Sequence, residues 1–379
     1  MNARVSQLLD QGQSIWQDDI ARSMLTSGSL AAMIEDVGIR GVTSNPTIFE
    51  KAVSAGSDYD AQIAELSAGG LSSLEIFEAL AIDDIRNACD VFRPIYDLSD
   101  GADGFVSIEV EPQYARDPDG TREQVRRFWD TVDRPNLMVK IPGTIEGAPI
   151  IEEMLAEGIN INITLLFSID AYERVANAYI DALEQRVAEG KPVDRIASVA
   201  SFFVSRVDTL VDRLLNEKVS EVEDPRDKKA LQELRGKAAV ANAKLAYAKF
   251  EEIFSGPRWD ALKAAGARPQ RPLWASTGTK NPNYPDTLYV DTLIGPHTVN
   301  TMPGKTIQAF LDHGTVKLTV DTDIEQAKDV ILDLEAAGIS IDAVTAQLET
   351  EGIDSFIKSF ETLLAGVEGK RASLTAAAD

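Results

Sequence analysis

Strand-like runs and longer amphipathic stretches alternate along this chain eight times, and few folds accommodate that count. The runs fall at residues 14–20, 41–46, 104–112, 137–143, 160–168, 196–203, 272–277 and 298–303. Between them lie charge-rich segments with helical spacing of apolar residues, among them 74–92, 122–133, 146–158, 171–189 and 238–254, with Gly158 and Gly190 as stop signals. Eight alternations predict the α/β class, and within it a closed (β/α)8 TIM barrel with additional helices rather than an open doubly wound sheet. No Gly-x-Gly-x-x-Gly follows an early strand, which weakens the dinucleotide-binding alternative. The expectation is one domain over residues 1–379, with barrel strands across about 14–303 and the helices of 304–379 packed on the barrel. Helical patterns at 305–313, 324–338 and 355–364 fit either a cover over one barrel end or a dimer contact, so monomer and homodimer are both compatible with them. The charged stretch 216–235 reads as a solvated helix-loop-helix excursion.

The strands carry an alternation that a barrel explains. Asn160, Asn162 and Thr164 share one face of their run, while Ile159, Ile161, Ile163 and Leu165 share the other. Ser107, Glu109 and Glu111 alternate in the same way with Ile108 and Val110. In a barrel the helices cover the outer face, so the polar face must line the interior. Active sites of such barrels gather at the carboxyl ends of the strands, and Asp18, Asn45, Glu109, Lys140 and Asn162 fall in the middle or later part of theirs.

Lys140 is the most informative of these. It sits within Asn136-Leu-Met-Val-Lys-Ile-Pro-Gly143, an apolar run too short for a helix. An unpartnered ammonium is expensive to bury, which favours the neutral amine, a nucleophile. The plainer reading is a strand-end lysine whose stem reaches back to water. Composition narrows the ligand classes. With 37 Lys and Arg against 61 Asp and Glu, the net charge of −24 disfavours nucleic acid and anionic membrane, and an anionic ligand must meet a local basic pocket. One cysteine, Cys89, and two histidines, His297 and His313, exclude disulfide frameworks and Cys/His zinc sites, while a carboxylate-bound magnesium stays open. No apolar stretch approaches the roughly 20 residues of a membrane span, and a cytoplasmic location is expected.

Six segments in sequence order resemble those of transaldolases, lysine Schiff-base enzymes of the pentose phosphate pathway. They are Ile15-Trp-Gln-Asp-Asp-Ile20, Gly41-Val-Thr-Ser-Asn-Pro-Thr-Ile-Phe49, Val106-Ser-Ile-Glu-Val110, Leu137-Met-Val-Lys-Ile-Pro142, Gly158-Ile-Asn-Ile-Asn-Ile-Thr-Leu-Leu-Phe-Ser168 and Ser201-Phe-Phe-Val-Ser-Arg206. The length and the segment Trp274-Ala-Ser-Thr-Gly-Thr-Lys-Asn-Pro282 look most like the longer bacterial branch. The resemblance implies Lys140 as the Schiff-base lysine and Asp18 as the acceptor of the hydroxyl proton whose loss drives cleavage. It implies Glu109, with Thr164 and a held water, as the proton shuttle of carbinolamine formation and dehydration. Asn45 and Asn162 match the amides that hold the hydroxyls of the retained three-carbon fragment, and Thr43, Ser201 and Phe203 match neighbouring pocket positions. Arg206 resembles the phosphate-binding arginine after the sixth strand. Many members carry a second arginine shortly after the seventh, where this chain has Ser276 and Lys280, and that role is placed on those two.

Each assignment has a plain competitor. Asp18 or Asp19 could cap a helix, and Asn45 could be only a turn residue before Pro46. Glu109 could be a structural ion-pair partner of Lys140, and Arg206 could pair with Asp208. The expected activity is transfer of a dihydroxyacetone unit between sugar phosphates, sedoheptulose 7-phosphate plus glyceraldehyde 3-phosphate to erythrose 4-phosphate plus fructose 6-phosphate, with no cofactor. The alternatives are a fructose-6-phosphate aldolase that releases dihydroxyacetone and a non-catalytic barrel that binds sugar phosphates.

Overall fold

A computed structural model describes residues 1–378, with side chains to Leu374. Eight parallel strands close into a barrel in sequence order: β1 Gln13–Gln17, β2 Gly41–Val42, β3 Phe105–Glu109, β4 Leu137–Pro142, β5 Ile161–Leu166, β6 Ser198–Phe203, β7 Arg271–Ala275 and β8 Thr298–Met302. β1 pairs with both β2 and β8, which completes the closure and leaves no free sheet edge. Apolar residues such as Ile108, Val139, Ile141, Ile161 and Ile163 are buried beneath the helices. The interior face is polar, with Ser107, Asn162, Ser201 and Thr301 all buried.

At the amino-terminal end of the barrel a charged plug closes the interior. Arg271 donates to Ser14 Oγ at 2.6 Å and to the Thr298 carbonyl at 2.9 Å, and it lies 3.5 Å from Asp103. Asp103 also accepts from the Trp16 indole at 2.9 Å and from Ser14. The Trp16 ring lies so close to β2 that a Cβ at Gly41 would fall 2.7 Å from it and from the Phe105 carbonyl. Only glycine fits there.

Several expected elements differ in extent. β1 stops at Gln17 instead of residue 20, because the chain leaves the ladder at Asp18, whose N–H still donates to the Met302 carbonyl at 2.9 Å. β2 has two residues instead of six: from Thr43 the chain turns inward, and Asn45 caps the helix Pro46–Ser54. In β5 the alternation breaks near its end. Leu165 adopts φ 59° and the register with β6 shifts between Ile163 and Leu166, a bulge that re-aims the strand end. The stretch 216–235 comprises the end of the helix Ser205–Glu221 and the helix Pro225–Glu233.

The terminal pattern at 355–364 is the middle of a helix that runs Ile341–Ala378. Val344, Leu348, Phe356, Phe360, Leu363 and Val367 form one buried stripe along it. Gly352 interrupts the stripe where a Cβ would come 3.0 Å from Leu165. The helix packs across the carboxyl-terminal mouth of the barrel. Thr47 donates to Ser359 at 2.9 Å, and Phe360 meets Phe77 edge-on at 5.6 Å.

Asp208, on the helix Ser205–Glu221, supplies a test of how the helices pack around the barrel. Its buried carboxylate accepts from the Ala239 N–H and from the Tyr289 hydroxyl, both at 2.8 Å, and burial pushes it from 3.8 up to about 6. A raised pKa means that the folded chain holds this proton more tightly than the unfolded one. The resulting stability is full below the unfolded value and is lost as pH rises through the folded one. Asp208→Asn should therefore gain unfolding free energy relative to wild type as pH rises from about 4 to about 7, measured by urea titration. A constant difference across that window would contradict the assignment.

Candidate active site

The strand register sets the site. Glu109 on β3 pairs with Lys140 on β4, and Lys140 pairs with Asn162 on β5, so three polar side chains enter the interior at one level. Lys140 Nζ donates to Glu109 Oε2 at 2.9 Å and to the Ser44 carbonyl at 2.9 Å. The two side chains are only 6% and 4% exposed, so this pair lies almost out of water. Burial pushes Glu109 above the ordinary carboxylate range, and the neighbouring Lys140 pulls it back. The ion-pair reading of Glu109 is thus realised, with its partner Lys140 bordering a cavity.

That cavity, about 300 Å³, opens at the carboxyl ends of the strands. Asp18, Thr43, Asn45, Lys140, Thr164, Ser201, Phe203, Arg206, Ser276 and Lys280, ten of the expected site residues, all line it. Asp18 hangs just beyond β1, with Thr43 Oγ1 donating to its Oδ1 at 2.8 Å. Burial raises Asp18, and the Thr43 bond and Lys140 oppose the rise. Asp19 is exposed. Asn45 is more than a turn residue: its Oδ1 caps the helix by accepting from the Ile48 N–H at 3.0 Å, and its side chain borders the cavity. Thr164 Oγ1 is buried with no hydrogen-bond partner among the described residues, which marks it as a group awaiting one. Ser276, at φ 56°, shares a hydrogen bond with Ser205 at 3.0 Å.

Two expected residues lie outside the lining. Glu109 touches the cavity through Lys140. Asn162 sits completely buried below the floor, donating to Ser107 Oγ at 2.9 Å and accepting from Ser201 Oγ at 2.7 Å. Arg206 does not pair with Asp208, whose oxygens are taken by Ala239 and Tyr289. Its guanidinium, drawn below its ordinary value by burial, faces the same cavity as Lys280.

Sequence reasoning missed four contributors. The Ser44 carbonyl holds Lys140, but a backbone acceptor carries no side-chain signal. Thr301 shares a 2.7 Å hydrogen bond with Thr43, and strand alternation in β8 could have pointed to it. Lys51 lies in the last turn of the helix that Asn45 caps, a position that follows once the helix start is known. Phe356 arrives from the terminal helix, and nothing local marks it. A larger cavity, about 1030 Å³, lies at the opposite end of the barrel, but none of the expected residues line it and its Arg271 and Arg268 are engaged with Asp103 and Asp100. Among the described residues no cluster of His, Cys, Asp and Glu could hold a metal ion, and no helix is long and apolar enough to cross a membrane.

Fold and site together define a (β/α)8 barrel with a lysine, two carboxylates and two or more cations converging at the carboxyl end of its strands. Residues 15–367 match the family described as Transaldolase/Fructose-6-phosphate aldolase. The chain is 50% identical over 366 residues to a protein named transaldolase from Trichodesmium erythraeum, covering 96% of each. It is 49% identical over 376 residues to one from Thermobifida fusca, covering 99% of this chain and all of that one. To one from Saccharopolyspora erythraea it is 51% identical over 364 residues, covering 96% of each. The chain belongs to the transaldolase/fructose-6-phosphate aldolase family, a family of enzymes.

The Thr43 bond stabilises the charged form of Asp18. Thr43→Val should therefore move the Asp18 titration to higher pH, followed by the carboxyl carbon resonance in a carbon-13 aspartate-labelled sample. An unmoved or lowered midpoint would remove Thr43 from the role.

Proposed function

We propose that this enzyme is a transaldolase, moving a dihydroxyacetone unit between sugar phosphates through a Schiff base on Lys140. The observation that carries the reading is the amine of Lys140 at the cavity floor, hydrogen-bonded at 2.9 Å to a buried carboxylate. A proton passing along that bond converts ammonium and carboxylate into amine and carboxylic acid. Burial favours the neutral form of Glu109, so the exchange is not opposed by the surroundings of the acid. The amine then attacks the ketone carbon of the donor. The carbinolamine hydroxyl leaves as water with the proton that Glu109 returns, and the lone Thr164 hydroxyl is suited to hold that water.

The resulting iminium withdraws electrons from the adjacent carbon–carbon bond. Asp18 accepts the proton of the hydroxyl on the far carbon, the bond breaks, and an aldose phosphate departs. An enamine of three carbons stays on Lys140. Its fate separates transfer from release. Water that protonates it frees dihydroxyacetone, whereas an aldehyde acceptor in its place receives the fragment. Burial of Lys140 and the helix across the mouth restrict water, which favours transfer. Asn45 can donate its carboxamide N–H groups to a fragment hydroxyl, and Asn162 with Ser201 fixes the floor and can exchange its bonds for substrate.

Arg206 and Lys280, with Ser276, form the subsite for the terminal phosphate, and Arg206 supplies the bidentate geometry. On this reading the donor is sedoheptulose 7-phosphate or fructose 6-phosphate and the acceptor glyceraldehyde 3-phosphate or erythrose 4-phosphate, a step of the pentose phosphate pathway. No cofactor is called for, since the iminium is the electron sink.

The experiment is a transfer assay with fructose 6-phosphate and erythrose 4-phosphate. Wild type should form sedoheptulose 7-phosphate and release little dihydroxyacetone when the acceptor is omitted. Lys140→Met should lose more than about 1,000-fold in kcat/KM. Efficient release without acceptor would make the enzyme an aldolase, and full activity in Lys140→Met would end the Schiff-base reading.

A further inference from the structure

Arg206 is held differently from Arg186 and Arg271, which are also largely enclosed. Arg186 donates to the Ala156 carbonyl at 2.9 Å and to the Pro192 carbonyl at 3.0 Å, and Arg271 is tied to Ser14 and Thr298. The Arg206 side chain has no hydrogen bond and no ion pair among the described residues. What holds it is a pair of rings. Its guanidinium carbon lies 5.3 Å from the centre of the Phe203 ring and 5.8 Å from that of Phe356. Phe203 is itself braced by Phe167 at 5.2 Å. Phe356 belongs to the helix Ile341–Ala378, far from the barrel strands in sequence.

The approach of that helix is specific. Gly352, one turn before Phe356, faces Arg206, and a Cβ there would come 3.4 Å from Nη1. Glu351 is near enough to stabilise the guanidinium charge but makes no bond to it, and its carboxylate accepts from Gln347 Nε2 at 2.6 Å. The physical difference between rings and a carboxylate is decisive here. A carboxylate would orient Arg206 but occupy its donors and compete with an incoming anion. Two rings hold the guanidinium in place and leave all five N–H groups unspent.

We propose that Phe356 is a positioning residue for the terminal phosphate, so that the terminal helix helps the site select phosphorylated over unphosphorylated sugars. Phe356 touches neither the reacting carbons nor the proton carriers. It acts by keeping Arg206 at the height where the phosphate of a sugar bound at Lys140 arrives. The inference rests on the proposed transaldolase reading for the identity of the anion, though not for the ring clamp itself.

The test compares glyceraldehyde 3-phosphate with glyceraldehyde as acceptors, at saturating sedoheptulose 7-phosphate, in wild type, Phe356→Leu and Phe356→Tyr. Phe356→Leu should raise KM for the phosphorylated acceptor about tenfold, with kcat and the kcat/KM for glyceraldehyde within about twofold of wild type. Phe356→Tyr, which keeps the ring, should restore the lower KM. Equal losses on both acceptors, or a tyrosine variant no better than leucine, would overturn the proposal. Should Phe356→Leu fail to fold by circular dichroism, Phe356→Met takes its place under the same criteria. Inorganic phosphate titrated by calorimetry separates the two levels of the argument. Weaker phosphate binding in Phe356→Leu than in wild type supports the clamp even if wild type transfers nothing, in which case the transaldolase reading alone fails. Equal phosphate binding in both overturns the clamp whatever the activity.

Discussion

The rest of the structure depends on one hydrogen-bonded pair, Lys140 and Glu109, held in the barrel interior with almost no exposure to water. Two opposite charges are hard to desolvate, and their attraction offsets that cost only while the geometry stays tight. The barrel provides the geometry. Register between β3 and β4 puts the two residues side by side, and closure of the sheet around them keeps that register from slipping. The Ser44 carbonyl, placed by the turn that follows β2, takes a second N–H of the lysine and fixes the direction of Nζ. On the proposed reading one proton moves between the two partners, as imine formation requires of an amine and its acid.

Charge differs in sign between the chain as a whole and the cavity. The chain as a whole carries −24, which repels sugar phosphates at long range, but at ordinary ionic strength that field decays within about 8–10 Å. Inside the cavity Arg206, Lys280 and Lys51 face the solvent-filled space from three elements. Burial there reduces screening, so local charges outweigh the distant ones. Lys140 and Lys280 also act on Asp18 and limit how far burial raises it. On the proposed reading, this basic pocket in an acidic protein holds the phosphate, and its lysines limit the rise of Asp18.

How much of this was legible in the sequence depended on how locally each feature is encoded. The eight alternations predicted the closed barrel, and the polar faces of β3 and β5 predicted a lined interior, because period-two patterning is written within a few consecutive residues. The residues around Lys140 were legible for the same reason, since neighbouring strands bring their ends together wherever the barrel closes. Lengths were less so. β2 has two residues rather than six because Asn45 and Pro46 start a helix, and the competition between cap and strand is settled by what packs around it. The bulge at Leu165 and the engaged state of Asn162 depend on contacts with β6 that alternation alone does not encode. Phe356 was illegible in principle. Its partner Arg206 lies on the far side of two further strands in sequence, and Gly352, which reads as a helix breaker, is the residue that lets the helix come close.

The central claim is that the Lys140 amine becomes covalently joined to the substrate. The most direct measurement is incubation with fructose 6-phosphate, reduction with borohydride and mapping of the modified peptide by mass spectrometry, with Lys140→Met as control. A reduced three-carbon adduct should appear on Lys140 alone, with none in the control. No adduct from folded protein that binds the sugar phosphate, or an adduct on another lysine such as Lys280, would contradict it.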